Sequence, residues 1–437
     1  MVRLTPRLRL PMIAAAAMLA GCGPATASQG TVSDSGPSIP STPTPTPPAA
    51  SVEQLLTGRW SALPTAPIAP RAGGSVAWTG SELLVWGGEQ GTLDETLYGD
   101  GAAYSPATGS WRLLPPAPLS ARVDQATAWT GTEMIVWGGY DRQSSQGSQA
   151  SADGAAYDPS TNSWRLLPPA PLSPRANSVA VWTGAAMVIL GGQSGQDAGS
   201  SGETFGDGAA YDPTTGTWQT IPEPVEPDGH PVEWSAAVQA GDELIGWSEW
   251  QENKPDSSGL LQPSGGVDLF AYNERAGAWS AIPKAQNALP DAQQVLWTGD
   301  QAVVRGEPYN CGDCPGPWEP EVTDTYQPAT NVWTQLPADP MPDGLLAWTG
   351  GALLSFDTTE SGAIPPSTTD IAPGDASVYD PSAKAWQMLP AASFGCETWP
   401  PLSPLWTGRQ VLIYCTPYDP DGQSGGASGA VFTAGGP

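Results

Sequence analysis

The chain repeats one sequence pattern along most of its length. Its clearest copy runs from Trp60-Ser-Ala-Leu-Pro through Trp86-Gly-Gly to Asp100-Gly-Ala-Ala-Tyr, and close copies follow it. The tryptophans at corresponding places recur every 50 to 60 residues or so, at positions 60, 111, 164, 218, 279, 333 and 386. A period of about 50 residues indicates that each copy is one small structural unit stabilised by its neighbours.

Each copy contains the residues of four short strands. In the first copy, a Thr-Gly turn separates Ser75-Val-Ala-Trp from Glu82-Leu-Leu-Val-Trp, and a Pro-Ala-Thr-Gly turn separates Gly101-Ala-Ala-Tyr from Trp111-Arg-Leu-Leu. β-Branched and aromatic residues favour strands, while Gly and Pro favour turns. The paired glycines after the second strand predict positive φ or a close approach of two backbones. Four strands in a period near 50 are typical of a β-propeller blade.

The number of copies predicts how the ring closes. Three-strand cores occur seven times, and a fourth strand follows each of the first six. The seventh core reaches the end of the chain without a fourth strand, whereas the segment around Trp60 has no core of its own. We therefore expect an all-β, seven-bladed propeller in which the N-terminal strand joins the C-terminal blade and closes the ring.

The pattern resembles kelch repeats over residues 51–437. The resemblance rests on the paired glycines, the Tyr-Asp-Pro turns that begin at Tyr157, Tyr211 and Tyr379, and the Trp about six residues later. It is clear in copies one to three and six and weaker in the others. The resemblance implies a kelch-type propeller. Kelch propellers include binding modules, sugar oxidases, epimerases and lyase-like enzymes, so the fold alone does not choose a function.

The first 21 residues have the features of a lipoprotein signal peptide. A basic start precedes an apolar stretch at 10–19 that is too short to span a bilayer. Leu19-Ala-Gly-Cys22 resembles the bacterial lipobox, in which the cysteine is acylated and becomes the first residue; the alternative is a plain secretory signal with an incidental cysteine. Lipidation of Cys22 would anchor the chain to the bacterial cell membrane, in an extracytoplasmic location.

The rest of the chain divides into two parts. Residues 22–50 are rich in Pro, Ser and Thr and predict a disordered stalk. Residues 51–437 predict the propeller, which we expect to be a monomer.

The net charge narrows the range of partners. The chain carries −28 formally, and −31 once Arg3, Arg7 and Arg9 of the leader are removed. Such a surface repels phosphate backbones, so a nucleic acid partner is not expected. Acidity favours solubility, with specific cation binding as the alternative.

Two enzyme classes of propeller do not fit these residues. Kelch-type copper oxidases use two His, two Tyr and a Cys-modified Tyr, whereas this chain has a single histidine, His230. A Ser-His-Asp triad would also have to use His230, which lies in a Pro-rich segment. Sialidases carry Asp-box turns, and the Trp turns here lack the aspartate. No catalytic residue, metal or cofactor is therefore assigned.

Charged residues nevertheless mark candidate binding positions. Three arginines recur seven residues before a first-strand Trp, where they either bind a carboxylate or brace neighbouring loops. The later copies lose the paired glycines after their second strands, and Arg305 replaces a strand-end aromatic there. Acidic residues lie at these breaks and on the loops that lead into first strands, which indicates either ligand binding or drift on a solvated rim. The candidate ligand-binding residues are Arg71, Arg122, Arg175, Glu233, Glu249, Asp291, Arg305, Glu307, Asp343 and Asp357.

Four cysteines remain beyond Cys22, which allows three disulfide pairings in an oxidising compartment. Cys396 precedes a first strand and Cys415 ends the second strand of the same copy, so we predict that they are bonded. Cys311 and Cys314 would then close a small loop. Redox exchange or a zinc knuckle are the alternatives, but the surrounding sequence supports neither.

These observations favour a binding protein. The expected ligand is a glycan, a peptide or an envelope protein bound at the loops, where Trp250, Trp318 and Trp399 are candidate contacts. One alternative is a glycan-active hydrolase or lyase that uses paired carboxylates at the propeller mouth. Another is a scaffold for other envelope proteins.

Overall fold

The computed structural model describes residues 48–90, 96–144, 147–195, 202–226, 231–255, 261–282, 292–306, 322–341, 344–356, 375–390, 404–415 and 428–436. These ranges consist mainly of β-strands and turns, with one short helix at Val52–Leu56. The prediction of an all-β chain is confirmed. No helix within these ranges has the length and hydropathy needed to cross a bilayer.

The described strands form seven antiparallel four-stranded sheets, numbered here along the chain. In sheets 1 to 6 the strands are hydrogen-bonded in chain order. Their bounds are Ser75–Trp78, Leu83–Trp86, Gly101–Ser105 and Ser110–Leu113 in sheet 1; Ala126–Trp129, Met134–Trp137, Gly154–Asp158 and Ser163–Leu166 in sheet 2; Val179–Trp182, Met187–Leu190, Gly208–Asp212 and Thr217–Ile221 in sheet 3; Glu233–Ala240, Glu243–Pro255, Leu261–Asn273 and Ala278–Ile282 in sheet 4; Gln294–Trp297, Ala302–Gly306, Val322–Gln327 and Val332–Gln335 in sheet 5; and Leu345–Trp348, Leu353–Phe356, Ala376–Asp380 and Ala385–Met388 in sheet 6.

Sheet 7 combines the two ends of the chain. Its first three strands are Leu405–Trp406, Gln410–Cys415 and Ser428–Thr433, and its fourth is the N-terminal strand Arg59–Leu63. Arg59 pairs with Thr433 and Leu63 with Gly429, so the register of the pair is continuous. Two small sheets lie outside these seven: Arg122–Val123 with Tyr140–Ser144 and Gly147–Ala150, and Glu89–Gln90 with Thr96–Leu97.

Each sheet has two ends that differ in the kind of connection they carry. At one end, here called the turn face, a turn of two to four residues joins the first and second strands, as in 79–82 and 130–133. In sheets 1 to 6 a four-residue turn at the same end joins the third and fourth strands, as in 213–216. Thr79 stabilises such a turn, since its Oγ1 accepts from Glu82 N at 2.8 Å. The opposite end, here called the loop face, carries the paired glycines and the long connections between the second and third strands, such as 87–100, 138–153 and 191–207. It also carries the connections from one sheet to the next.

The cores lie between sheets rather than within them. Trp86 of sheet 1 packs with Val136 and Tyr157 of sheet 2, and all three are at most 1 % exposed. Comparable clusters lie between each sheet and the next, from sheet 1 to sheet 7. A further cluster contains Leu63 and Tyr414 of sheet 7 together with Val85 of sheet 1. Burial of such apolar surface is the main favourable contribution to folding.

Outer-strand tryptophans add a polar contact between successive sheets. Trp164 Nε1 in sheet 2 donates to the carbonyl of Pro115, which follows the outer strand of sheet 1, at 3.0 Å. The same contact joins sheets 2 and 3, 3 and 4, and 5 and 6. It also joins sheet 6 to sheet 7 through Trp60 and Pro390 at 2.8 Å, and sheet 7 to sheet 1 through Trp111 and Pro64 at 2.7 Å. At these six boundaries the repeated Trp and the proline after the outer strand therefore belong to one inter-sheet contact.

Candidate binding face

Arg71, Arg122 and Arg175 lie on the loop face and occupy equivalent positions in sheets 1 to 3. Arg122 is 1 % exposed. Its Nη1 donates to the carbonyl of Gly138 at 3.0 Å and to Asp153 Oδ1 at 2.8 Å, while its Nε donates to Ser120 O. Arg71 and Arg175 make the corresponding contacts with Gly87 and Asp100, and with Gly191 and Asp207. Each guanidinium therefore joins the loop before the first strand to the ends of the second and third strands.

The partners of these arginines reach the surface although the arginines do not. The side chains of Asp100, Asp153 and Asp207 are 55 %, 56 % and 47 % exposed. Arg71 and Arg175 also lie under aromatic rings, with Cζ 4.3 Å from the Tyr98 centroid and 4.0 Å from the Phe205 centroid. The loop face of sheets 1 to 3 thus presents carboxylates whose charge is offset by a buried cation. Of the two roles considered for these arginines, this geometry corresponds to bracing of neighbouring loops and not to binding of a ligand carboxylate.

The paired glycines of sheets 1 and 2 connect each of these two sheets to the next. Gly88 has φ of +96°, and a Cβ there would lie 2.6 Å from the carbonyl oxygen of Ala72. Its N–H donates to the carbonyl of Arg122 in the loop of sheet 2 at 2.8 Å. Gly139 donates to Arg175 O in the same way at 3.0 Å. The prediction of positive φ and close backbone approach at the paired glycines is confirmed. The short distance to the neighbouring backbone leaves no room for a side chain there.

Arg305 braces a different pair of sheets. It is the penultimate residue of the second strand of sheet 5, is 2 % exposed, and reaches into the loop that leads to sheet 6. Its guanidinium donates to the carboxylate of Asp339, whose side chain is also 2 % exposed, and to Ser355 Oγ at 2.8 Å. Asp339 Oδ1 in turn accepts from Ser377 Oγ at 2.9 Å. Sequence reasoning singled out Arg305 but did not identify Asp339 as its partner.

Two of the predicted carboxylates are brought together. Glu233 and Glu249 are direct partners across the first two strands of sheet 4, so their side chains project from the same side of the sheet. Both are half-buried at the loop face. The nearby Trp250 Nε1 donates to Asp268 Oδ2 at 2.8 Å.

The other predicted residues are not described. Asp291, Glu307, Asp343 and Asp357 lie outside the described residues, as do His230, Trp318 and Trp399. The same holds for the predicted lipidation site Cys22 and for Cys311, Cys314 and Cys396, while of Cys415 only the backbone is described. Among the residues that the structure does describe, no group of three His, Cys, Asp or Glu side chains is arranged to hold a metal ion.

Asp124 is a titratable residue of the loop face that sequence reasoning missed. It has φ of +57°, and the equivalent residues Gly73 and Asn177 have φ of +61° and +54°. Asp and Asn tolerate this left-handed conformation better than other non-glycine residues, so the recurrence of Gly, Asp and Asn at one repeat position was a usable signal. Burial raises the pKa of the Asp124 carboxyl to about 7, and the negative charge of Glu89 adds to the rise.

The raised pKa of Asp124 predicts that the stability of the folded protein depends on pH. The folded state holds the Asp124 proton more tightly than the unfolded chain does, so stability falls as the pH rises from about 4 to about 7. Asp124→Asn removes this loss and keeps a residue type that the equivalent position of sheet 3 already carries. We expect its Tm to exceed that of the unmodified protein by about 3 °C or more at pH 8, and the difference to shrink towards pH 4.

Thermal melts at pH 4, 6 and 8 measure this effect. Asp242→Asn, at an exposed turn, is the control and should leave Tm nearly unchanged at every pH. A Tm difference for Asp124→Asn that does not vary with pH would contradict the assignment of the titration to Asp124.

Two comparisons bear on the class of protein. Residues 50–247 match the family model described as the KLHDC2/KLHL20/DRC7 Kelch-repeats domain. The chain is also similar to the Kelch-like protein terF of Aspergillus terreus, with 26 % identity over 189 residues. That alignment covers 41 % of this chain and 38 % of the fungal protein, so the chain spans well under half of that relative. The matches support a kelch-repeat protein, and the all-β architecture fits a β-propeller.

Proposed function

We propose that the seven four-stranded sheets are the blades of one closed propeller. The support comes from the contacts between blades. A hydrophobic cluster lies at each of the six successive sheet boundaries, and a seventh lies between sheet 7 and sheet 1. The Trp–Pro contact occurs on both sides of sheet 7. Closure would leave no blade with an unpacked flank.

We propose further that this propeller is an extracytoplasmic monomer, anchored to the bacterial cell membrane by lipid on Cys22. The proposal rests on the basic start, the short apolar stretch and the lipobox-like Leu19-Ala-Gly-Cys22. Cys22→Ser is the test. We expect the unmodified protein to remain with the membrane fraction and the variant to be released. A variant that remains with the membrane would contradict lipid anchoring.

The function that the geometry supports best is binding of a ligand or protein partner at the loop face. The observation that carries this proposal is the contrast between the two faces. The turn face carries turns of two to four residues, whereas the loop face carries connections that are mostly longer and differ from sheet to sheet. In sheet 4 the second and third strands continue beyond Glu249 as a paired arm, to Pro255 and Leu261. Variable loops on a rigid scaffold are the usual place for recognition.

Site-specific cross-linking on the full chain tests this proposal. A photo-reactive amino acid is placed at Glu203, exposed on the loop face of sheet 3, or at Thr214, exposed on the turn face of the same sheet. We expect position 203 to form a saturable cross-link with the binding partner, and excess unlabelled protein to abolish that cross-link by competition. Position 214 should form none. Cross-links that are equal at both positions, or that occur only at 214, would contradict recognition by the loop face.

The pairing of Glu233 with Glu249 supports a second candidate, a glycan-active hydrolase or lyase. Directly opposed residues on antiparallel strands have Cβ atoms about 5 Å apart, so both carboxylates can reach one substrate bound on that side of the sheet. The test is turnover of cell-wall glycan fragments by the unmodified protein and by Glu233→Gln and Glu249→Gln. Loss of measurable turnover in both variants would favour this candidate. Absence of turnover in the unmodified protein would leave binding as the function.

A further inference from the structure

The segment before the N-terminal strand is docked on the turn face. The carbonyl of Pro48 accepts from Trp406 Nε1 at 3.2 Å, and Ala50 N donates to Thr349 O at 3.3 Å. Both Trp406 and Thr349 lie where a first strand ends and its turn begins. Residues 48–50 therefore cross the turns of sheets 6 and 7.

The helix Val52–Leu56 continues this docking. Ser51 caps it, accepting from Gln54 N at 3.3 Å, while the Gln54 side chain accepts from Ser51 N at 2.9 Å. Leu55 is fully buried in the cluster between sheets 6 and 7. Gln54 O accepts from Gly435 N at 2.7 Å, which ties the helix to the C-terminal segment.

The turn of sheet 6 is shaped to admit this segment. A Cβ at Gly351 would lie 2.9 Å from the carbonyl oxygen of Ala50 and 3.3 Å from Ala49 Cβ. The same turn position holds Ser81 in sheet 1, Thr132 in sheet 2 and Arg409 in sheet 7. Within the described residues, glycine therefore occupies this turn position in sheet 6, where the N-terminal segment packs directly on the turn.

We infer that the propeller is suspended from the membrane by its turn face, so that the loop face and the arm of sheet 4 point away from the lipid. The inference rests on the proposed lipid anchor at Cys22. The chain that leads from Cys22 meets the domain at Pro48, and the contacts of 48–57 fix that meeting point to the turn face. A loop face that points outwards presents its binding surface to soluble ligands or to macromolecules outside the cell membrane, rather than to lipids or membrane-embedded proteins.

Energy transfer to a membrane dye tests the orientation. The lipidated full chain is reconstituted in vesicles that contain a lipid-linked acceptor, with one donor fluorophore attached through an unnatural amino acid at Thr214 or at Glu203. Both positions are exposed in sheet 3, so they differ in face and not in blade. Strands of four or five residues, with their loops, separate the faces by roughly 20 Å. We expect energy transfer at 214 to exceed that at 203 about twofold, whereas equal transfer, or greater transfer at 203, would overturn the inference.

Two variants connect the result to the docked segment. Gly351→Lys should displace residues 49 and 50 and reduce the difference between the two probes, because its side chain needs the space that they occupy. Ser81→Lys, at the same turn position of sheet 1, should leave the difference unchanged. A Gly351→Lys protein that keeps the full difference would contradict a role for the docked segment. Failure of the anchor itself would appear separately, as a protein that does not bind vesicles through Cys22.

Discussion

Arg305→Met should lower the free energy of unfolding by about 3–5 kcal/mol, because it leaves the buried carboxylate of Asp339 without its cation. The side chains of Arg305 and Asp339 are each 2 % exposed, so water cannot replace the lost contact. The guanidinium also donates to Thr323 Oγ1 at 3.1 Å and to Ser355 Oγ at 2.8 Å, and these acceptors lose a donor as well. Chemical denaturation of the mature chain, followed by tryptophan fluorescence, measures the change.

Two further variants separate this effect from a general effect of losing an arginine. Arg409→Met, on an exposed turn, should change the free energy of unfolding by less than about 0.5 kcal/mol. Arg305→Met combined with Asp339→Leu should be less destabilised than the sum of the two single variants, since the combined variant leaves no unpaired charge. Strict additivity, or an Arg305→Met protein as stable as the unmodified one, would contradict the buried ion pair.

The stability result bears on how the candidate binding residues are tested. Arg71, Arg122, Arg175 and Arg305 are all buried and all held by partners within the chain. A loss of binding after substitution of any of them would reflect disruption of the blade as readily as loss of a ligand contact. Exposed positions outside these ion pairs, such as Glu203, are therefore better probes of recognition at the loop face.

The regular part of the fold could be predicted because it depends on local pattern. Leu83–Trp86 and its equivalents combine β-favouring residues with glycine on both sides, and this pattern fixes strand, turn and register together. The partners of the arginines were also within reach of the sequence. Asp100, Asp153 and Asp207 belong to the same repeated motif, but they stand about 30 residues from their arginines, so the pairing appears only when the strands are placed side by side.

The less regular half of the candidate site could not be predicted in this way. Arg305 is held by Asp339, which belongs to the loop before sheet 6 and has no counterpart elsewhere in the repeat. Asp124 looks like an ordinary surface acid, and only its backbone conformation and burial distinguish it. The docking of Pro48 on Trp406 joins residues 358 positions apart, which no local pattern can indicate. That last contact follows from how the ends of the chain meet, and the first two depend on residues specific to one copy of the repeat.

A variant that begins at Thr65 should have a Tm lower by more than about 10 °C, because it loses the outer strand of sheet 7 together with the docked helix. The removed strand contains Leu63, which is 1 % exposed, and Trp60, whose ring lies 5.1 Å from that of Phe432 and 5.8 Å from that of Phe356. Loss of Trp60 and Leu63 alone amounts to about 5 kcal/mol or more of buried apolar contacts. Differential scanning calorimetry measures the change.

A second variant and a peptide show which part of the N-terminal segment matters. A chain that begins at Gly58 keeps the strand Arg59–Leu63 but loses the docked helix, so its Tm should lie between those of the Thr65 variant and the unmodified chain.

A synthetic peptide of residues 49–64 should raise the Tm of the Thr65 variant in a saturable way, because it binds the open edge of Ser428–Thr433 in the folded state. The same peptide with Trp60→Ala should be much weaker, since it lacks the ring contacts and the hydrogen bond to Pro390. A Thr65 variant as stable as the full chain would show that sheet 7 does not need its N-terminal strand, and would contradict the proposed closure of the ring.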